Sequence, residues 1–314
     1  MVTGVRDIAI FSGTAHPDLA EEICAHLDLP LHPARVQRFA NDCLEVQLQA
    51  NCRERDVYLI QPLVPPVQEH LVELLLMVDA ARGASAARTT VVMPHFAYAR
   101  SDKKDAPRIS IGARLVADLL VAAGAGRVLT MTLHSPQVHG FFSIPVDHLH
   151  ALRELAAHFG AVDPGTTVVV SPDLGNAKSA AHFARILGVP VAAGAKQRYA
   201  DDVVQISALI GDVEGRDVIV LDDEIAKGST VVELLARLRE RRVRSIRIAC
   251  THGLFAGGAL DRLAGQPDID EIVCTNTVPI PKRVDKLTVL SVAPALAEAI
   301  RRIHNGESVS ALFA

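Results

Sequence analysis

The stretch Val218-Ile219-Val220-Leu221-Asp222-Asp223-Glu224-Ile225-Ala226-Lys227-Gly228-Ser229-Thr230 decides how the chain is read. Its four leading apolar residues predict a buried strand, because a parallel strand covered on both faces is hydrophobic throughout. Two adjacent carboxylates follow at the strand's carboxyl end, the edge at which open α/β sheets hold ligands. A short loop with one glycine and two hydroxyls comes next, and a helix is expected from Val231. The first N–H groups of a helix lack intrahelical partners and favour an anion, with Ser229 and Thr230 adding donors. Acids that accept hydroxyl protons beside amides that take a phosphate describe a sugar phosphate. Strand–loop–helix units with a glycine and a Ser/Thr cap also occur as plain scaffolding. The pair Asp222-Asp223 is less ordinary, since adjacent like charges repel and call for a cation or polar partner. The stretch matches neither the nucleotide pattern G-x-x-x-x-G-K-[ST] nor the dinucleotide turn G-x-G-x-x-G.

Outward from this point, β-rich apolar runs alternate with amphipathic helical stretches. Strands are expected at Ile8–Ser12, Val57–Gln61, Thr89–Met93, Arg127–Thr132, Thr167–Ser171, Val218–Leu221, Arg247–Thr251, Glu271–Cys274 and Thr288–Ser291. Helices are expected at Pro17–Leu27, Gln68–Arg82, Ile111–Ala122, Ala151–Phe159, Ala177–Leu187, Val231–Glu240 and Pro294–Ile303. Such alternation predicts an α/β protein of mainly parallel sheets flanked by helices. A junction near Pro145–Ala151, followed by a second full set of units, predicts two similar-sized lobes. Val91-Val92-Met93-Pro94-His95 and Val169-Val170-Ser171-Pro172-Asp173 echo each other, which hints at duplication.

The 314 residues suit two domains, and a hydrophobic share of 49% is ample for packed cores. The 32 basic and 36 acidic residues leave a formal charge of -4, so no general nucleic-acid surface is expected. Cys24, Cys43, Cys52, Cys250 and Cys274 are odd in number and never C-x-x-C. They predict reduced thiols in a cytoplasmic protein, not a disulfide framework or zinc site. No apolar signal region opens the chain, and Glu73 and Asp118 interrupt the best candidate membrane runs, so no membrane association is expected.

Four more stretches could carry chemistry. Tyr98-Ala99-Arg100-Ser101-Asp102-Lys103-Lys104 concentrates cations just after a strand. A charge run is usually a solvated face, but this position favours a polyphosphate loop. His134 and Asp173 each follow a strand at the same sheet end. Lys196-Gln197-Arg198-Tyr199-Ala200-Asp201-Asp202 reads as a mobile loop whose cations either stay on the surface or close over a phosphate chain.

These stretches, with Arg38-Phe39, the run from Glu69 to Ala80, Leu133–Phe142, Ile144–Leu149, Gly211–Arg216, Cys250-Thr251-His252-Gly253 and the tail Ser308–Phe313, resemble the ribose-phosphate diphosphokinase family, the 5-phosphoribosyl 1-pyrophosphate (PRPP) synthetases. The resemblance covers nearly the whole chain. It implies two phosphoribosyltransferase-like lobes, residues 1–148 on the ATP side and 149–293 on the ribose 5-phosphate side, with a tail from 294 to 314 returning to the first. It further implies transfer of pyrophosphate from Mg²⁺-ATP to the 1-hydroxyl of ribose 5-phosphate, giving PRPP and AMP. On that pattern Phe39 and Asn41 meet the adenine, and Arg100, Ser101, Asp102, Lys103 and Lys104 serve the rest of the nucleotide. His134 and Asp173 contact the Mg²⁺-nucleotide. Asp222 and Asp223 hold the ribose hydroxyls, and Ala226, Lys227, Gly228, Ser229 and Thr230 wrap the 5-phosphate. Lys196 and Arg198 neutralise the pyrophosphoryl group as it moves. The family also implies a homo-oligomer built from dimers, up to a hexamer, with allosteric positions matching Arg53, Ser85, Ser308 and Ser310.

Where many members read D-T-A-G-T or A-T-G-G-T, this chain reads Ala226-Lys227-Gly228-Ser229-Thr230. Phe39-Ala40-Asn41-Asp42-Cys43 stands for F-S-D-G-E, Ser101 for a common Gln, and Gly175-Asn176-Ala177-Lys178 for G-G-x-x. The altered sugar-phosphate loop keeps a second class of function in view, a non-catalytic homologue that assembles with a true synthetase. A nucleobase phosphoribosyltransferase shares the Asp-Asp loop but fits two lobes poorly.

Overall fold

The computed structural model describes residues 8–200 and 203–312, with the backbone alone described over 196–200 and 203–205. The chain forms two compact units. The first runs through His150 and adds Thr277–Pro279 and the segment from Ser291 onward; the second comprises Ala151–Asn276 and Ile280–Leu290.

The first unit opens with β1 (Ile8–Ser12), α1 (Pro17–Leu27), β2 (Leu31–His32), β3 (Ala34–Arg38) and β4 (Leu44–Leu48). It continues with β5 (Asp56–Ile60), α2 (Val67–Gly83), β6 (Arg88–Met93), α3 (Gly112–Ala123), β7 (Arg127–Met131) and β8 (Val146–Leu149). Six strands pair in parallel in the order β2-β1-β5-β6-β7-β8. The central strands are buried along their length, so they lack a polar face, as a sheet covered on both sides requires. β3 and β4 form a separate antiparallel hairpin whose inner residues pack on α2. This hairpin and β8 were not expected from the pattern of apolar runs.

The second unit holds α4 (Leu152–Phe159), β9 (Thr167–Ser171), α5 (Ala177–Leu187), β10 (Val191–Ala200), β11 (Val203–Ile210) and β12 (Asp217–Ile225). Then come α6 (Ser229–Glu240), β13 (Ser245–Gly253), α7 (Ala259–Ala264), β14 (Ile269–Thr275) and β15 (Leu287–Leu290). The sheet order is β11-β10-β9-β12-β13-β14-β15, with only β10 and β11 antiparallel. Alternation along the strands divides the apolar residues between two cores. Val168, Val170, Val218 and Val220 pack with α6 and α7 residues, while Val169, Ile219 and Leu221 pack with α4 and α5 residues.

Three expectations change here. β12 does not stop at Leu221 but runs through the acids to Ile225, because β13 continues to pair with it as far as Ile225 opposite Gly253. α6 begins at Ser229, so both hydroxyl residues belong to the first helical turn. The stretch expected as a mobile loop is strand through Ala200, paired antiparallel with β11; Asp201 and Asp202 lie outside the described residues.

The last helix, α8 (Ala293–Asn305), belongs to the first unit and packs on α1. Its buried face carries Leu296, Ala297, Ile300 and Ile303. Polar bonds fasten it below the sheet. Tyr58 Oη donates to Ile300 O (3.3 Å), His304 Nδ1 lies 2.6 Å from Asp56 Oδ2, and Arg88 Nε donates to Asp56 Oδ1 (2.7 Å).

Candidate active site

In the second unit the connection from β9 through α5 leads to β10 on one side, and that from β12 through α6 leads to β13 on the other. The sheet order therefore reverses between β9 and β12, and the crevice at their carboxyl ends is where such sheets bind ligands. The ladder from β12 to β9 ends at Val220 opposite Val170, while the ladder to β13 goes on to Ile225. Asp222, Asp223 and Glu224 thus extend past the end of their neighbour on the β9 side.

Asp173 follows β9 and faces the same reversal. Its Oδ1 accepts the Asn176 N–H at 3.1 Å, and Asn176 Nδ2 donates to Leu221 O at 3.0 Å. Asn176 therefore ties the loop after β9 to the strand just before Asp222. Ser171 Oγ donates to Asp173 O at 2.6 Å and tightens the turn. Sequence reading treated Asn176 only as a departure from a pattern, since a side-chain bond across 45 positions leaves no local signal.

Burial pushes the Asp222 carboxyl well above the usual carboxylate range. The charge of Asp223, a hydrogen bond between the two carboxyl groups and the charge of Asp173 add to the rise, while the Asp223 N–H, 3.0 Å from Asp222 Oδ1, works against it. Asp222, buried beside two further acids, therefore holds a proton readily when nothing else balances it. A sugar hydroxyl or a cation would meet the same demand.

Beyond Ile225 the chain turns through Ala226, Lys227 and Gly228 into α6. Gly228 caps the helix at φ 72°, a left-handed conformation that a side chain disfavours. Ser229 is exposed and Thr230 half-buried in the first turn, where backbone N–H groups have no intrahelical acceptor. The predicted ribose 5-phosphate residues are therefore contiguous with the acids of β12.

The remaining predicted residues are spread more widely. In the first unit Phe39 is 43% exposed at the tip of the β3–β4 hairpin, and its N–H donates to Cys43 O at 2.9 Å. Asn41 Oδ1 accepts from the Cys43 N–H at 3.3 Å within the same tip. Arg38 reaches both Asp42 and Glu69, which anchors the tip to α2. Arg100 ends a 3-10 turn after β6, exposed. Ser101 has a structural task, since its Oγ accepts the Gly112 N–H at 2.9 Å and closes the loop onto the start of α3. Asp102 is half-buried, Lys104 is exposed, and Lys103 lies 3.5 Å from Asp105. His134 is exposed after β7, in a turn where His148 Nε2 accepts the Leu133 N–H at 2.8 Å. The 3-10 turn and this loop both follow sheet strands at their carboxyl ends.

Lys196 and Arg198 lie on β10; their side chains fall outside the described residues. Arg53 and Ser85 sit in adjoining turns, because the Glu54 N–H donates to Ser85 O at 2.9 Å. Ser308 and Ser310 follow α8, where Arg302 Nη1 donates to Ser308 O at 2.8 Å. Among the described residues no three His, Cys, Asp or Glu side chains gather closely enough to hold a metal by themselves.

Residues 8–124 match the N-terminal domain of ribose phosphate pyrophosphokinase, and residues 205–314 match the phosphoribosyl synthetase-associated domain. The chain is 79% identical over 311 residues to a Streptomyces coelicolor protein provisionally named as a ribose-phosphate pyrophosphokinase, covering 98% of each. It is 47% identical over 313 residues to the ribose-phosphate pyrophosphokinase of Deinococcus radiodurans, again with 98% of each covered. Among solved structures it is similar to phosphoribosylpyrophosphate synthetase from Mycobacterium smegmatis, at 38% identity and a TM-score of 0.89, over 95% of this chain and 99% of that one.

Proposed function

The chain belongs to the ribose-phosphate pyrophosphokinase family, and from that premise we propose how its residues divide the reaction. The enzyme transfers the pyrophosphoryl group of ATP to the 1-hydroxyl of ribose 5-phosphate, forming PRPP and AMP for nucleotide biosynthesis. The hydroxyl oxygen attacks the β-phosphorus, the bond from that phosphorus to the α,β-bridging oxygen breaks, and AMP leaves; the hydroxyl proton passes to solvent.

The observation that carries the assignment is the acidic crevice joined directly to an open helix start. Asp222 and Asp223 accept from the ribose diol, and Lys227, Gly228, Ser229 and Thr230, with the main chain at Ala226, receive the 5-phosphate. Phe39, Asn41, Arg100, Ser101, Asp102, Lys103 and Lys104 take the nucleotide side, in the first unit. Of these, Ser101 serves mainly by holding its loop. Lys196 and Arg198 stabilise charge as the pyrophosphoryl group moves. The retained acids and cations favour catalysis over a non-catalytic partner role, as do the names of the relatives.

Mg²⁺ fits this donor set. The crevice is crowded with carboxylate oxygen, a hard donor that suits a cation which keeps waters and shares substrate phosphates. Asp173 is the residue of this crevice that we assign to it, and His134 is proposed separately to serve the Mg²⁺-nucleotide in the first unit; when bound the ion would supply charge neutralisation on phosphate oxygens.

Three coarser readings complete the proposal. All five cysteines are free, which supports a cytoplasmic setting, and no helix of the described residues is long and apolar enough to cross a membrane. A homo-oligomer built from dimers, up to a hexamer, is proposed on the family pattern, with Leu115 and Leu119, one turn apart on α3 and 56% and 40% exposed, as apolar side chains such an assembly would cover. Arg53, Ser85, Ser308 and Ser310 are proposed allosteric positions. The direct test is AMP formation from ATP and ribose 5-phosphate with Mg²⁺ and inorganic phosphate. Turnover is expected, and none under those conditions would refute the catalytic reading.

A further inference from the structure

The sugar-phosphate loop is held from behind by a residue with no place in the assignments above. Arg262, on α7, donates from Nη2 to Lys227 O at 2.7 Å and from Nη1 to Gly257 O. The same backing includes the Phe255 N–H, which donates to Ile225 O at 3.0 Å. A Cβ built on Gly228 would touch Ala259 and Leu263 of α7, each at 3.6 Å. The loop between β12 and α6 therefore rests on α7 and the turn before it, and the carbonyls of Lys227 and of Ile225, the last residue of β12, point that way.

A peptide unit is planar and trans, so its N–H points opposite to its C=O. Fixing the Lys227 carbonyl toward Arg262 turns the Gly228 N–H away from α7. Gly228 can follow because its positive φ costs little without a side chain. We propose that Arg262 is a positioning residue for sugar-phosphate binding: by gripping the Lys227 carbonyl it presents the Gly228 N–H to the 5-phosphate. The inference rests on the assignment of residues 226–230 to that phosphate. It also accounts for a tolerated Lys227, since the grip is on a main-chain oxygen that every residue type carries.

The test compares Arg262→Ala, Arg262→Lys and Asp223→Ala with the parent enzyme, reading kcat, both KM values, ribose 5-phosphate binding by calorimetry, and Tm. In Arg262→Ala the KM and Kd for ribose 5-phosphate should rise about five- to tenfold, the factor that losing one ordinary hydrogen bond or slightly more implies. kcat should stay within about twofold, and the KM for ATP should not move. Arg262→Lys should fall between, because one ammonium keeps the charge but cannot bridge two carbonyls in a planar fork. An unchanged ribose 5-phosphate KM in Arg262→Ala beside a damaged Asp223→Ala overturns the positioning role alone. Equal losses toward ATP and ribose 5-phosphate also overturn it. If Asp223→Ala binds ribose 5-phosphate like the parent, the site assignment itself fails, and this role with it.

Discussion

The two units carry the same sheet plan, yet their points of reversal are furnished in opposite ways. The order β2-β1-β5-β6-β7-β8 maps onto β10-β9-β12-β13-β14-β15, with β11 added at an edge. In the first unit the reversal lies between β1 and β5. There Glu73, 1% exposed, accepts from Thr14 N–H and Thr14 Oγ, both at 2.6 Å, and Gln61 Oε1 accepts from the Ala15 N–H at 3.0 Å. Gly13 lies so close to Gln61 that a Cβ would stand 2.4 Å from its side-chain oxygen. The loop amides that could grip a ligand are taken by the protein itself. Between β9 and β12 the side chains are instead acids, and Asp222 among them holds its proton strongly. A fold supplies a crevice; the residues at its lip decide whether anything enters.

The largest effects should come from the open crevice and its assigned cations. Asp223→Ala is expected to lower kcat/KM for ribose 5-phosphate by about a hundredfold to a thousandfold, and Lys196→Ala to lower kcat by a similar factor with little change in KM. Steady-state kinetics check both; a raised KM at full kcat in Lys196→Ala would contradict its assignment. Next is the closed crevice. Glu73→Ala takes the carboxylate from the N–H and hydroxyl of the exposed Thr14 and empties a buried site, which should reduce Tm by roughly 2–5 °C. An unchanged melting curve would show that this lip is not held as described.

A smaller effect runs the other way. The raised proton affinity of Asp222 means that stability falls as pH climbs from the ordinary carboxylate value through the folded one. Asp222→Asn should therefore raise the Tm by about 2–4 °C at pH 8, with the gain vanishing near pH 4, while activity is lost. Calorimetry at both pH values decides it. The smallest concerns Asp217, whose carboxyl the Arg244 guanidinium lowers to about 2, aided by Ser245. Its contribution is complete above the unfolded value near 4 and disappears as pH falls toward 2. Asp217→Asn should make acid unfolding begin at slightly higher pH, as circular dichroism would follow.

Much of this plan was legible in the sequence because burial on both sheet faces leaves uninterrupted apolar runs. Pro17–Leu27 and Ala177–Leu187 are helices with the expected bounds, and Ile8–Ser12 and Thr167–Ser171 are strands with theirs. What escaped was structure held by something other than apolar density. β12 beyond Leu221 carries three acids and is a strand only because β13 keeps pairing with it. The β3–β4 hairpin is half-exposed; the alternation Leu44-Glu45-Val46-Gln47-Leu48 was the available signal. β8 is buried although Asp147 and His148 make it look polar, since Arg127 Nη1 reaches Asp147 at 2.6 Å and His148 receives the Leu133 N–H. The echo between Val91–His95 and Val169–Asp173 pairs the wrong strands, because β6 corresponds to β13 and β9 to β1. His95 is buried, with Nδ1 2.8 Å from Leu63 O, whereas Asp173 faces the crevice. In the site, the acids were readable as a pair, but Asn176 and Arg262 act through single bonds to distant main-chain oxygens. Arg262 beside Asp261 looks in sequence like an ordinary solvated charge pair.

The clasp between α8 and the base of the first sheet has a consequence for the order of events at the ribosome. The apolar side of α1 and the ring of Tyr58 are covered by residues synthesised more than 240 positions later, the bond from Tyr58 to Ile300 alone spanning 242. The half of the enzyme made first cannot be the half finished first. A nascent chain must shelter that greasy seam until its own end emerges, so a gene truncated after His150 should yield an insoluble product, however complete its strands.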